Sequence, residues 1–441
     1  MLSKSISELI KKSSIKDNTE DARESEAVLE INQLVTKTAT FYEKVRYLVD
    51  YKEEHTIRRS AIERILRRKL FIESRENVGL SLIAELVGGQ YIAEKYHTEG
   101  TGRLIDRIIN KFLILYSHVE HSPRSRKKIH SLAASEIDYY LDSYAHQIDT
   151  FTVEAFCERV RPHITVNIRL EKDELDIALY AACRRNLLGS DDQMLMFSLW
   201  RKFVPEWQNI RDDEIPKLAE RFEALVEKID HSIRSPLQWQ IAQKLKNETV
   251  YFLIIREIVR QYGALSEGVF AKEDELDAYV KNFLEKIYKK ENEKIRSRGI
   301  RAVIYLFLTK ILIAIAFELP YEFFVLGESW TLPLTINIIF PPVLLFLLTR
   351  GVKTLDVQNT GAVIQGMHEI VYSDGMKPIL IGKSMAKQGL TAIFMIMYVI
   401  FIAVIFGLLI SLLEVFKFNL VSIVVFIFFL TLVSYFAFRI R

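Results

Sequence analysis

Two uncharged apolar runs, Leu390–Leu413 and Leu420–Phe438, are separated only by the hexapeptide EVFKFN. A hydrocarbon core of about 30 Å is crossed by a helix of about 20 mostly apolar residues. Both runs meet that length, and a buried pair in a soluble core does not explain two of them joined so closely. Two further runs come earlier, Ala302–Phe324 and Leu332–Leu348. The first holds Lys310 and Glu318. The second is short and carries Asn337, Pro341 and Pro342, and proline is tolerated in a span because neighbours satisfy the freed carbonyls. The expectation is a transmembrane domain over 302–438 with four spans (302–324, 332–348, 390–413, 420–438) and an inner loop over 350–389. A re-entrant or interfacial hairpin is the alternative for the first two runs.

Composition agrees with this segregation. Half the residues are hydrophobic although 26% are charged. Residues 301–441 hold 10 of the 59 Lys+Arg and 7 of the 56 Asp+Glu, which leaves 49 of each sign in the first 300. A front part so balanced lacks the basic excess of a polyanion binder, which argues against nucleic acid as a partner. Its N-terminus, MLSKSISELIKKSS, has no unbroken apolar stretch of the kind a secretory signal needs. The two cysteines, Cys157 and Cys183, make no disulfide framework and read as reduced, buried thiols.

Loop charge sets the orientation. Lys289, Lys290, Lys294, Arg296, Arg298 and Arg301 precede the first run; Arg350, Lys353, Lys377, Lys383 and Lys387 lie between the second and third; Arg439 and Arg441 follow the fourth. The other connections carry Glu322, Glu328 and Glu414 against Lys417. Positive charge marks the cytoplasmic side, so both termini and the inner loop are expected in the cytoplasm, beneath an inner or plasma membrane. Trp330, Tyr321 and Phe323 fall at the outer end, as an aromatic belt does. The six cations from Lys289 to Arg301 are the expected contacts for anionic lipid. Arg441 follows Arg439 by two residues, which leaves room for a longer C-terminal tail.

Lys310 is the residue out of place. It stands eight residues, about 12 Å, inside its run. One reading has it snorkel to the inner headgroups. The other docks its ammonium on the broken turn of the second run, where Pro341 and Pro342 free the carbonyls of Asn337 and Ile338. Glu318, about 12 Å further along the same helix, reads as a poor partner and is expected at the outer interface near Glu322.

The fold class of the rest is all-α. Residues 1–24 are polar and read as a flexible segment, and 25–298 as a cytoplasmic helical domain. Helices are expected at 26–52, 55–75, 77–97, 101–120, 126–147, 172–188, 191–203, 212–230, 236–263 and 272–298, with breaks at HTEGTG, HSPRSRKK, DHSIRSP and GALSEG. Ile164, Val166, Ile168 and Leu170 alternate with polar residues as a strand does, yet no sheet is evident for it to join. A subdomain boundary near 161–171 is one explanation. Leu276, Val280, Phe283 and Ile287 form a short coiled-coil-like seam on the juxtamembrane helix, which serves as a tether, or as a mechanical link if it runs on unbroken through Gly299. In the inner loop, 360–372 reads as an amphipathic helix on the membrane face or on the front domain, and KPILIG as extended.

No catalytic set assembles. GMKPILIGKS has six residues between its glycines where a phosphate loop needs four. His368 and Glu369 read as a solvated helix face. His118 and His121, near His130, have a spacing that metal sites use, but they sit where a helix ends and the dipole favours histidine. Arg58, Arg59, Arg64, Arg67, Arg68 and Lys69 are interleaved with acids and read as a salt-bridged face. Trp200, Trp207, Trp239, Phe203 and Tyr251 read as core or as a partner groove. No cofactor is expected. The leading function is a membrane-anchored interaction or scaffold module whose partners are the bilayer and a cytoplasmic protein or a second copy. The alternative is a channel or transporter subunit with a polar path around Lys310 and Asn337.

Overall fold

The computed structural model describes residues 2–13, 54–72, 78–119, 122–167, 170, 173–327, 331–350, 358–382 and 388–440. The helix expected at 26–52, and His121, Trp330, Arg441 and the 383–387 segment, lie outside the described residues. The described chain is nearly all-α and divides into two compact units, Met1–Leu276 with Gln365–Lys383, and Asp277–Ile364 with Ser384–Arg441.

The first unit is built of helices with legible ends. After α1 (Lys4–Ser13), α2 (Glu54–Ile72) and α3 (Val78–Gly88), α4 (Glu99–His118) starts where the Thr98 hydroxyl accepts from Thr101 N–H at 3.2 Å. Ser122 caps α5 (Pro123–Leu141), with proline at its first position, where a missing N–H costs nothing. The single helix expected at 126–147 is two, because Asp142 (φ −136°, ψ 57°) breaks the chain before α6 (Ser143–Val160). Then come α7 (Glu174–Leu188), closed by Gly189 at φ 59°, and α8 (Asp192–Phe203), capped by Asp191 through Gln193 and Met194 N–H. The helices α9 (Ile215–Glu220), α10 (Phe222–Arg234), α11 (Pro236–Leu245), α12 (Thr249–Tyr262) and α13 (Ser266–Ala271) complete the sequence.

Trp200 and Trp207 are in the core, edge to face at 5.6 Å. The Trp207 indole donates to Glu136 at 2.6 Å, and Lys111 bonds the same carboxylate at 2.7 Å. Trp239 is half-exposed beneath the Arg185 guanidinium. The basic helix α2 is salt-bridged: Arg58 to Asp138 at 2.5 Å, Arg59 to Glu63 and Asp191, Arg67 to Glu63, and Arg68 and Lys69 to Glu85. Burial works to raise the Asp138 carboxyl, but Arg58 and His146 outweigh it and hold the group at about 2.

The strand at 164–170 has a partner after all. β1 (Ile164–Val166) pairs in parallel with β2 (Ile379–Ile381) from the KPILIG stretch, in the register Ile164↔Ile379, Thr165↔Leu380 and Val166↔Ile381. The expectation that it had no sheet to join is therefore corrected: its mate lies more than two hundred residues away. Residues 365–372, the second half of α16 (Gln358–Tyr372), are built into the same unit. The buried Arg159 side chain gathers the end of that helix: it donates to the carbonyls of Glu369 at 3.1 Å, Gly375 at 2.8 Å and Ser373. A guanidinium there meets the negative end of the helix dipole and carbonyls left without intrahelical donors. Ser3 N–H and Tyr372 Oη add bonds to Val371 and Phe270 carbonyls.

The second unit holds most of α14 (Glu273–Ile313), which runs unbroken through Gly299, followed by a π turn at Ala314–Glu318, an α turn at Leu319–Tyr321 and a second π turn at Glu322–Leu326. It also holds α15 (Thr331–Arg350), α17 (Gln388–Val415) and α18 (Leu420–Ile440). Among the described residues three helices are long and apolar enough to cross a membrane: Glu273–Val325, Phe394–Val415 and Leu420–Phe438. Pro333–Leu348 is apolar but shorter. The helices α15 and α18 pack together, and Leu306 of α14 joins Leu345, Phe429 and Val433 in their core. Along α17, by contrast, Phe394 to Phe401 is one continuous exposed apolar run, while Leu409 and Leu413, near its C-terminal end, pack in a core with Phe418 and Phe426. Exposed apolar surface on that scale is not a feature of water-facing proteins.

Candidate functional site in the apolar unit

The polar residues of the second unit converge. Lys310, Glu318, Asn337 and Ser422 are each at most 1% exposed, inside three helices whose surroundings are hydrocarbon side chains. Lys310 Nζ donates to Glu318 Oε1 at 2.7 Å. Asn337 Nδ2 donates to Glu318 Oε2 at 2.9 Å and to the Ser422 carbonyl at 3.2 Å. The ammonium also lies 4.7 Å from the Phe429 ring centroid, in reach of a cation–π attraction. One carboxylate thus ties together α14, α15 and, through Asn337, α18.

The π turn makes the ion pair feasible. Eight residues of ideal α-helix advance about 12 Å and leave the two side chains about 80° apart around the axis. Leu319 N–H instead reaches back five residues to the Ala314 carbonyl. The extra residue in that turn brings Glu318 round to the face of Lys310. Helical side chains also tilt toward the N-terminus, which aims the carboxylate back down the helix at the lysine. Pro320 is the local cause in the sequence: it has no N–H to offer the carbonyl of Ala316, and its ring crowds an α-helical bond there.

The expectations for these residues change accordingly. Glu318 is the ion-pair partner, not an outer-interface residue, because reach and helix phase were both misjudged by assuming ideal α geometry. Lys310 neither snorkels nor docks on freed carbonyls, since its ammonium goes to the carboxylate. The proline pair, Pro341 and Pro342, is buried, and α15 continues through both. Ser422 was missed altogether: its role is a backbone carbonyl, which no side-chain pattern announces. Its own N–H is held by Asn419 Oδ1 at 2.8 Å, which fixes the start of α18. Two polar atoms of the cluster, Asn337 Oδ1 and Ser422 Oγ, have no hydrogen-bond partner.

Other candidate residues are not part of this cluster. Lys289, Lys290, Lys294, Arg296, Arg298 and Arg301 are exposed along α14, with Lys294 bonded to Glu291 at 2.7 Å. His118 ends α4, and its Nδ1 donates to the Ile114 carbonyl at 2.9 Å, a helix-end contact. Among the described residues no group of three His, Cys, Asp or Glu is placed to hold a metal. His368 packs edge-on against Tyr372. The buried ion pair is chemically closed: acid and base neutralise each other, and nothing in the set is arranged as a nucleophile with its base. No family model matches this chain, and no curated protein or solved structure matches it either.

Proposed function

We propose that the chain is a multi-pass integral membrane protein whose N-terminal helical unit is a cytoplasmic interaction or scaffold module held at the bilayer surface. The observation that carries the membrane part is the run Phe394–Phe401, apolar and exposed on every side. A parity argument supports four spans. Residues 365–383 belong to the same unit as residues 1–276, so the chain between them crosses the bilayer an even number of times. Glu273–Val325 is long enough to cross; the shorter α15 then has to return, with local thinning of the bilayer making up its length. The positive residues of the first and middle connections put that unit in the cytoplasm, with both termini, and lay Lys289 to Arg301 against anionic headgroups.

What supports anchoring is the number of attachments. The chain passes between the two units after Leu276, Ile364 and Lys383, where a simple tether would pass once. What weighs against a polar path is the state of Lys310: its charge is already met by Glu318 inside a packed core.

The test is cross-linking of the full chain in native membranes, washed first with alkaline carbonate. The expected result is retention in the pellet, with cross-links from residues 54–276 to a discrete partner or to a second copy. Release by carbonate overturns the membrane reading; retention without any such cross-link overturns the scaffold reading.

A further inference from the structure

The first unit contains a cavity of about 670 Å³ walled by α6, α7 and α8. Its charges do not balance. Glu154 and Glu158 on one wall are met by Lys12, at 3.0 and 3.8 Å, and Asp176 is bridged to Arg161. Three cations of the other walls, Arg184 on α7 and Arg201 and Lys202 on α8, make no ion pair with any described carboxylate. Arg184 is 6% exposed, its Nη1 reaches only the Tyr180 hydroxyl at 3.5 Å, and its Nε is buried with no acceptor. Arg201 lies over the Tyr139 ring at 4.1 Å, and with the Gln208 amide turned toward it donates to a neutral oxygen at 2.7 and 3.1 Å. Lys202 lies over the Tyr180 ring at 4.7 Å.

Other buried or half-buried guanidinium groups of the unit have a carboxylate, Arg159 included, with Asp374 at 3.4 Å. Arg58 is on Asp138, Arg59 on Glu63, and Arg256 on Asp149 at 2.6 Å. Of the three cations only Arg184 is buried; Arg201 is half-buried and Lys202 exposed. A buried charge without a counter-ion is costly, so that cost falls on Arg184, while the two tyrosine rings position Arg201 and Lys202 at the cavity without discharging them. An incoming anion recovers that cost. Two forked guanidinium groups and an ammonium lining one cavity suit a tetrahedral dianion better than a single carboxylate. The volume is far more than inorganic phosphate fills and lies in the range of small-molecule pockets, about 300–1,000 Å³.

We propose that this cavity binds an organic phosphate monoester, with Arg184, Arg201 and Lys202 holding the phosphate and the apolar wall of Leu179 and Phe197 covering the rest. The phosphate can belong to a soluble metabolite or to a phosphorylated lipid headgroup; the chemistry of recognition is shared. The site lies wholly within the first unit and does not depend on what the membrane unit does.

The experiment is calorimetric titration of the full chain in phosphatidylcholine nanodiscs with three probes: AMP, glucose 6-phosphate and inositol 1,4-bisphosphate, with adenosine and glucose as phosphate-free controls. At least one phosphate probe is expected to bind with Kd below about 1 mM, and its control not to bind. Binding of AMP or glucose 6-phosphate assigns the soluble source, and binding of the inositol phosphate alone assigns the headgroup. The R201Q/K202Q variant, altered at one half-buried and one exposed position outside the core, is expected to weaken binding about tenfold or more, as loss of charge-assisted hydrogen bonds does. R184Q is expected to abolish it, with circular dichroism showing the helical content unchanged. Silence from all three phosphate probes overturns the proposal, as does an R201Q/K202Q variant that binds as tightly as the parent.

Discussion

Lys310 and Glu318 stand eight residues apart on one helix, and their side chains meet at 2.7 Å where the helix widens into a π turn. Neither is useful to the fold alone. An ammonium or a carboxylate left by itself in that apolar core carries a desolvation cost that nothing repays. Joined, they are neutral, and the second carboxylate oxygen is free to collect Asn337 from α15. The pair therefore acts as a registration device between helices whose other contacts are non-directional. Replacing a buried ion pair by well-packed apolar residues is often neutral for stability, and fixing register is the best-attested use of such a pair.

A double-mutant cycle tests that account. Lys310→Leu and Glu318→Leu are each expected to destabilise the protein by about 3–5 kcal/mol, because each strands a buried charge. The combined variant is expected to regain most of that loss, since two well-packed leucines replace a pair that only breaks even. Thermal unfolding in detergent, monitored by tryptophan fluorescence, reads all four proteins. Additive losses in the double variant would show that the pair does not act as one unit.

Arg159 makes a second claim. Its three carbonyl contacts at the end of α16 bind a segment more than two hundred residues away in sequence. Arg159→Lys keeps the charge but loses the fork, and is expected to raise hydrogen exchange over residues 365–382 while leaving α2 to α5 protected. The loss is about 1.5–3 kcal/mol, the worth of hydrogen bonds to a charged group. Unchanged exchange over 365–382 would mean that β1–β2 pairing and the Ser3 and Tyr372 bonds hold the segment without Arg159.

Gly366 reports on the same docking from the other side. A Cβ built there runs into the Tyr251 ring. The ring is not at the end of a flexible chain, so Gly366→Ala is expected to push α16 off by more than a small adjustment and to cost about 1–3 kcal/mol, as overpacking does. Tyr251→Ala in the same protein removes the obstacle and is expected to restore the exchange pattern. A Gly366→Ala variant as stable as the parent denies the close approach.

Much of this architecture can be read from the chain, and the parts that cannot share a cause. Apolar runs, N-caps such as Ser122 and Asp191, and the salt-bridged face of α2 depend on neighbours in sequence, so spacing reveals them. The mate of β1, the role of Arg159 and the use of the Ser422 carbonyl depend on contacts far away, and local pattern carries no sign of them. The Lys310–Glu318 pair lies between these cases. Its residues are only eight apart, and Pro320 two positions later is a visible reason for the helix to leave α geometry, so the pairing was within reach of a reading that allowed the turn to widen.

The Asp138 carboxyl yields a pH prediction. It titrates at about 2 in the folded chain, against an ordinary value of 3.8. A carboxyl depressed by folding contributes stability that is complete above its unfolded value and disappears as pH falls through its folded one. The first unit is therefore expected to hold its stability down to about pH 4 and to lose this contribution between about 4 and 2. Asp138→Asn is expected to flatten that segment of the profile and to cost about 1.5–3 kcal/mol at neutral pH, because Arg58 keeps only its longer contact to Asp142 at 3.8 Å. Urea unfolding across pH 2–7 gives both quantities, and a parental slope retained by Asp138→Asn would assign the acid sensitivity to other carboxylates.

The two thiols are expected to differ in reactivity. Cys183 is fully buried, and burial together with the hydrogen-bonded Cys157 pushes its thiol well above the ordinary value. Almost none of it is thiolate at neutral pH, and thiolate is the reactive form. Cys157 is half-buried and lines the cavity between α6 and α8, where a reagent can approach. N-ethylmaleimide at neutral pH, followed by peptide mass mapping, is expected to label Cys157 in the folded protein and Cys183 only after denaturation. A phosphate probe that occupies the cavity is expected to slow labelling of Cys157. Equal labelling of both thiols in the native protein would mean that the packing around α7 does not shield Cys183.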